Sequence, residues 1–283
     1  MMLSKSLRSL LTKSIDYAGM FPPCSLELEP ALKKQAAYVR DADSWMLSTF
    51  VLPVAQFENA AAHLSMFDAK HPLRVSALGS KTMSIDELQS KVRAFAKEHV
   101  DLATIEQIET PLAGDLPRVD FNVPTFWEAP ADTIAAIKSA KIDNYGFKLR
   151  TGGVTADAFP SSVQIARAIL ASTKHHVPIK FTAGLHHPIR QFRDEVKTEM
   201  HGFLNVLGAG VLSAEHHWDE AQTIEMLEDQ RAQSFEFHDT VFAWRDWEIT
   251  LDRIKARRKF VTSFGSCSFD EPREDLRALN FLA

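Results

Sequence analysis

Short apolar runs alternate with longer stretches in which apolar positions recur every three or four residues, and the alternation persists through most of the chain. Runs of the first kind predict strands and the helical period predicts crossover helices, so the pattern predicts a parallel sheet. A first strand is expected over 15–21 (IDYAGMF), stopped by Pro22 and Pro23, then a helix over 26–40 with Leu32, Ala36 and Val39 on one face. Residues 45–52 (WMLSTFVL), closed by Pro53, form the second strand and 57–67 its helix. The third strand is 74–78, and its helix over 85–99 carries Ser84 as N-cap with Glu87 three residues on, the pattern of a capping box.

Strands four and five are expected over 104–109 (TIEQIE) and 119–123 (VDFNV), with little room for a helix between them. A helix over 131–140 leads to strand six, 145–150 (YGFKLR), and a helix over 161–173 to strand seven, 178–183 (PIKFTA). Residues 191–214 read as one or two helices, 234–242 as strand eight, 247–259 as the last main helix and 274–279 as a short final one. Eight strand–helix units without a linker predict one α/β domain over 1–283, a single (β/α)8 TIM barrel. An extra N-terminal helix within 1–14 and a C-terminal tail over 260–283 complete it. No glycine-rich dinucleotide fingerprint or phosphate loop follows a strand, so standard nucleotide sites are not supported.

Composition narrows the function classes. The chain has 283 residues and a net charge of −5, which lacks the concentrated positive field of a dedicated nucleic-acid binder. No run approaches the roughly 20 apolar residues of a membrane span. Two cysteines, Cys24 and Cys267, are too few for a disulfide framework and point to a reducing compartment, so the expected location is the cytoplasm. The basic, acid-free opening with Lys5, Arg8 and Lys13 has the composition of a transit peptide. Leu3, Leu7, Leu10 and Leu11 nevertheless repeat at helical spacing and favour a helix closing one end of the fold. The aromatic-rich segment 235–247 reads as core packing or as a face for self-association, which is compatible with a homo-oligomer.

The chemistry is expected at the C-terminal ends of the strands. A lysine in an apolar strand is costly unless it has a role, and two strands carry one, Lys148 and Lys180. Side chains two apart share a face, so Lys148 points with Arg150 and Lys180 with Thr182. Both strands exit through glycine, at Thr151, Gly152 and Gly153 and at Ala183 and Gly184, where bare N–H groups can approach a carboxylate or phosphate. Two inward ammoniums on adjacent strands would lower each other's pKa, with desolvation acting in the same direction. Such a lysine forms a Schiff base with a carbonyl near neutral pH. In the alternative, one lysine lies outside and snorkels between helices.

A lysine strand ending in Thr-Gly, a helix, and a lysine strand ending in Ala-Gly, all within 146–190, resemble the deoxyribose-phosphate aldolase type of class I aldolase. The resemblance implies Lys148 as the Schiff-base nucleophile and Lys180 as the lysine that tunes it. Leu149 and Arg150 stand where that family has small polar residues, and Leu185, His186, His187 and Pro188 where it has a second glycine and an Ile-Arg turn. Related chemistry on a different substrate is therefore expected.

Further candidates follow from position. Asp16 lies on strand one. Glu106 and Glu109 sit on opposite faces of strand four, and Glu109, nearer the end, is expected to move protons. Asp120 and Asn122 lie in the expected strand five. His186 and His187 follow strand seven, as acid/base groups or anion ligands or as a simple helix cap. Ser266 sits in a Gly-Ser turn suited to anions, while Cys267 as a nucleophile lacks an identifiable base. The His pairs at 175–176, 186–187 and 216–217 lack metal-site spacing, so neither metal nor cofactor is expected; His238 is the best addition if a metal exists.

The expected function is a lyase of the aldolase kind acting on a small anionic carbonyl compound. Lys148, Lys180, Glu109 and His186 would be catalytic. Arg150, Thr151, Gly152, Gly153, Thr182, Gly184, His187, Asp16 and Ser266 would surround the substrate. A non-covalent or metal-assisted hydrolase or isomerase using His186 or His187, and a non-catalytic metabolite-binding barrel, are the alternatives, since barrels host unrelated chemistries.

Overall fold

The computed structural model describes residues 3–112, 114–130, 133–139 and 144–282. Its strands, in chain order, begin with β1 (Ile15–Tyr17), β2 (Leu47–Pro53), β3 (Leu73–Leu78), β4 (Ala103–Pro111), β5 (Thr125–Glu128), β6 (Tyr145–Arg150) and β7 (Ile179–Thr182). Two antiparallel ribbons come next, β8 (Gln191–Arg193) with β9 (Thr198–Met200), then β10 (Phe235–Phe237), β11 (Val241–Trp244) and β12 (Trp247–Thr250). The last strand, β13 (Val261–Ser266), pairs in parallel with both β7 and β1 and closes an eight-stranded barrel. This is a TIM barrel of the α/β class, as the alternation of patterns predicts.

The helices are α1 (Lys5–Leu11), α2 (Leu28–Tyr38), α3 (Phe57–Ala61), α4 (Ile85–Glu98), α5 (Thr133–Ser139), α6 (Ser162–His175), α7 (Phe203–His216), α8 (Glu220–Glu228), α9 (Leu251–Arg257) and α10 (Asp270–Ala278). Local chemistry sets their starts. Ser161 and Gln164 form a reciprocal capping box at α6, and Asp219 and Gln222 another at α8. At α4 only half of the expected box forms: Ser84 Oγ accepts the Glu87 N–H at 3.1 Å, while the Glu87 carboxylate pairs with Lys91 at 3.2 Å. The N-terminal helix α1 buries Leu7, Leu10 and Leu11 completely, in keeping with their helical spacing. Among the described residues, no helix is long and apolar enough to cross a membrane.

Several boundaries differ from the sequence pattern, each for a physical reason. Residues 119–123 are not a strand. The Val119 N–H is satisfied by the Tyr145 hydroxyl at 2.8 Å and the Asp120 N–H by Gln89 at 2.8 Å, so this backbone needs no neighbouring strand. The fully apolar stretch just after it, Phe126 and Trp127, forms β5 instead. Residues 234–242 are not the eighth barrel strand, because their aromatic alternation pairs within the β10–β11 ribbon. The eighth is β13, whose Thr, Ser and Gly content reads as tail because its inward Ser263 faces a carboxylate rather than an apolar core. Residues 247–250 are β12, so α9 starts only at Leu251. The start of 191–214 is the β8–β9 ribbon, leaving α7 for the rest. The helix expected over 57–67 stops at Ala61, and the ends of the one expected over 131–140, at 131–132 and 140, lie outside the described residues.

Candidate active site

Parallel pairing places charged residues in one row. Glu128 on β5, Lys148 on β6 and Lys180 on β7 are register partners across adjacent strands, and Glu109 on β4 stands beside Phe126 of β5. Residues in register share a face of the sheet, and here that face is the barrel interior. Both lysines are buried and both reach Glu109, so neither snorkels outward.

The result is a chain of alternating charge. Asp16 Oδ2 lies 2.9 Å from Lys180 Nζ, which lies 2.5 Å from Glu109 Oε1. Glu109 Oε2 lies 2.8 Å from Lys148 Nζ, which lies 2.9 Å from Glu128 Oε2. Arg150 reaches the other oxygen of Glu128 at 3.7 Å. Hydroxyls and an amide complete the acceptors: Asp16 receives the Thr49 hydroxyl at 2.5 Å, Ser263 at 2.5 Å and Gln107 at 3.3 Å, and Glu109 receives Ser76 at 2.5 Å. The Phe126 ring covers Lys180 Nζ at 5.4 Å.

This arrangement overturns the expectation of a lowered pKa at Lys148. Burial does pull the Lys148 pKa down, but the carboxylates of Glu109 and Glu128 outweigh it and hold the ammonium above its ordinary range. Burial likewise pushes Glu109 up, yet Lys148 and Lys180 together hold its carboxyl well below the usual carboxylate range. A carboxylate set between the two lysines reverses the sign that like charges alone would give.

Above this chain, at the C-terminal ends of the strands, lies a cavity of about 290 Å3. Lys148, Glu128, Arg150, Thr182, His186 and Cys267 are among its walls. Asp16, Glu109 and Lys180 lie beneath it, in the barrel interior. Of the two lysines, Lys148 lines this cavity and Lys180 does not.

The glycine exits are occupied chiefly with each other. A Cβ on Gly152 would stand 2.7 Å from Gly184 Cα, and one on Gly184, at φ +73, would stand 2.8 Å from Gly152 Cα. Thr151 Oγ1 donates to the Ala183 carbonyl at 2.6 Å and ties the same two exits together. Gly153 and Gly265 do reach the cavity. Gly184→Ala is expected to cost about 1–3 kcal/mol in urea unfolding, from backbone strain and collision. Gly265→Ala, whose Cβ would meet nothing closer than 3.4 Å, should fall within about 0.5 kcal/mol of wild type. Equal costs for the two would show that the exits relax freely.

His186 and His187 meet acids of α10. His186 Nδ1 lies 3.0 Å from Glu271 Oε2, and His187 Nδ1 lies 2.6 Å from Asp275 Oδ2. His186 also lines the cavity; His187 does not. Ser266 turns into the start of α10, its Oγ accepting the Ser268 N–H at 3.4 Å. The Cys267 thiol is pushed up to about 12 by burial and by Cys24 beside it, which makes it a poor nucleophile at neutral pH. Glu106 faces outward to Arg74, Asp120 pairs with Arg93 at the surface, and the exposed His238 pairs with Glu236. Among the described residues, no group of three or more His, Cys, Asp or Glu is placed to hold a metal ion.

Two site residues escape sequence reasoning. Glu128 is hidden by the misplaced fifth strand, although an acid closing the apolar run Thr125–Glu128 was a usable signal. Glu271 lies 85 positions from His186, and nothing local announces that pairing. Comparison of the chain with models of protein families, with curated proteins and with solved structures finds no match, so the geometry of the barrel mouth carries the functional reading.

Proposed function

We propose that this barrel is a lyase that holds a small anionic carbonyl compound as an imine on Lys148. The observation that carries the reading is that Lys148 reaches the cavity floor with its Nζ between Glu109 and Glu128, while Lys180 stays below. A carbonyl compound displaces the Glu128 contact and the Lys148 ammonium gives its proton to Glu128. The free amine then attacks the carbonyl carbon to form a carbinolamine. Loss of the hydroxyl as water, with a proton from Glu128 or His186, leaves the iminium. As Glu128 or His186 takes the proton of a hydroxyl on Cβ, the Cα–Cβ bond next to the iminium carbon breaks and the Cβ fragment leaves as a carbonyl compound. The electron pair enters the iminium to give an enamine, whose Cα then regains that proton before hydrolysis. Glu109 and Lys180 keep the buried charge balanced, and Arg150 and Thr182 hold the anionic group of the substrate.

The raised pKa of Lys148 favours a second reading, in which the ammonium persists and polarises the carbonyl by hydrogen bonding while His186 moves the proton. Borohydride trapping across small aldehydes, ketones and keto acids separates the two. Imine chemistry predicts a substrate-dependent mass increase mapped to Lys148. Absence of any adduct, beside a control aldolase that traps well, transfers the assignment to the non-covalent mechanism.

A further inference from the structure

At the end of the barrel opposite Lys148, the C-terminus of α1, the helix α9 and the start of β13 border an open cavity of about 690 Å3. Six of its ten lining residues are cations, Lys5, Arg8, Lys13, Lys255, Arg258 and Lys259, and none of the described lining residues is an acid. A neighbouring cavity of about 580 Å3 shares Arg8, Thr12 and Lys13 with it and adds Lys70, His71 and Arg74, again without an acid. The chain as a whole carries a net charge of −5, so an acid-free cluster of cations at this end stands against the overall balance.

The local ion pairs do not neutralise the cluster. Lys5 meets Asp239 at 3.5 Å and Lys255 meets Asp252 at 3.7 Å, both as exposed pairs of little energetic weight. Among the described residues, Arg8, Lys13, Arg258 and Lys259 have no carboxylate in ion-pair contact. Arg258 is satisfied only by main-chain carbonyls, those of Val261, Thr262 and Thr12, and its shielded Nε has no hydrogen-bond partner. Unpaired like charges gathered in a concavity repel one another, and their field focuses on an incoming anion.

We propose that this basal cavity is a binding site for a small molecule carrying several phosphates. Lysine and arginine donors satisfy phosphate oxygens through charge-assisted hydrogen bonds, and the volume falls in the usual range for a small-molecule site. The net negative charge of the rest of the molecule opposes long polyanions and anionic membranes, which selects a compact ligand. The site is independent of the imine chemistry at the other end.

Inorganic triphosphate is the probe, titrated calorimetrically into the full chain at about 50 mM and about 200 mM salt. The expected result is saturable binding of one equivalent that weakens steeply with salt. Lys13→Gln combined with Lys259→Gln, both exposed and without ion pairs, should weaken it about tenfold or more. Arg8→Gln, read separately, should weaken it as well, while Lys33→Gln with Lys97→Gln on other helices should leave it unchanged. Non-saturable binding, binding indifferent to the Lys13 and Lys259 changes, or binding to phosphatidylserine vesicles without binding to triphosphate would each overturn the proposal.

Discussion

Glu109→Gln should destabilise the fold by about 3–5 kcal/mol, the range for removing one partner of a buried charge pair. Glutamine keeps the shape of the side chain but removes the charge that both Lys148 and Lys180 contact. Each lysine would retain one carboxylate, Glu128 or Asp16, yet the two ammoniums would no longer have an anion between them. Urea unfolding of this variant beside Glu106→Gln supplies the scale, because Glu106 lies on the outward face at 4.0 Å from Arg74 and should cost less than about 1 kcal/mol. Comparable losses for the two would mean that the buried charge chain contributes no more than a surface pair.

The same residue sets the acid limb of stability. The Glu109 carboxyl is held below its ordinary value of 4.5. Above that value it is ionised in both folded and unfolded chains, and its contribution is complete. As pH falls, the unfolded chain takes up the proton first, so stability is lost on the way down to the folded pKa. Wild type should therefore lose stability between about pH 5 and acid more steeply than Glu109→Gln. At Lys148 the sign is opposite: its folded pKa is raised, so its contribution is complete below 10.5 and fades as pH rises through the folded value.

Substitution of Lys148 should have the largest effect on turnover. Lys148→Arg keeps a cation near Glu109 and Glu128 but removes the amine nucleophile. With whichever carbonyl compound traps on wild type, this variant should lose the borohydride adduct and about a thousandfold or more of turnover, as expected when a covalent nucleophile is removed. Lys148→Met should lose the adduct equally. It should also remain closer to wild type in stability than Lys180→Met, because Glu109 keeps Lys180, and Glu128 is partly exposed and faces Arg150. Lys180→Met leaves Asp16 without a cation in ion-pair contact in a fully buried setting. An Arg variant that retains turnover would exclude the imine.

The barrel and the positions of its two lysines were legible because they rest on local periodicity. Strands β6 and β7 are short apolar runs bounded by Gly, Pro and polar residues, and a lysine inside such a run is conspicuous on its own. Period two puts Lys148 and Arg150 on one face, and the face of Glu109 follows from the same rule within β4. The helix starts at Ser84 and Ser161 were likewise written locally, in side chains that bond a backbone N–H three residues away. The strand β13 was illegible because the strand signal assumes an apolar inward face, and its Ser263 instead serves Asp16 across 247 positions of sequence.

By itself, then, the sequence determined the αβ alternation, the presence of lysines on consecutive strands and their nearness to the strand exits. Only the tertiary structure decided what stands between those lysines. Pairing β4, β5, β6 and β7 in one register inserts Glu109 between two ammoniums and sets Glu128 against the outer one. Coulomb energies at about 3 Å depend on which charges become neighbours, and barrel closure, not spacing along the chain, chooses those neighbours.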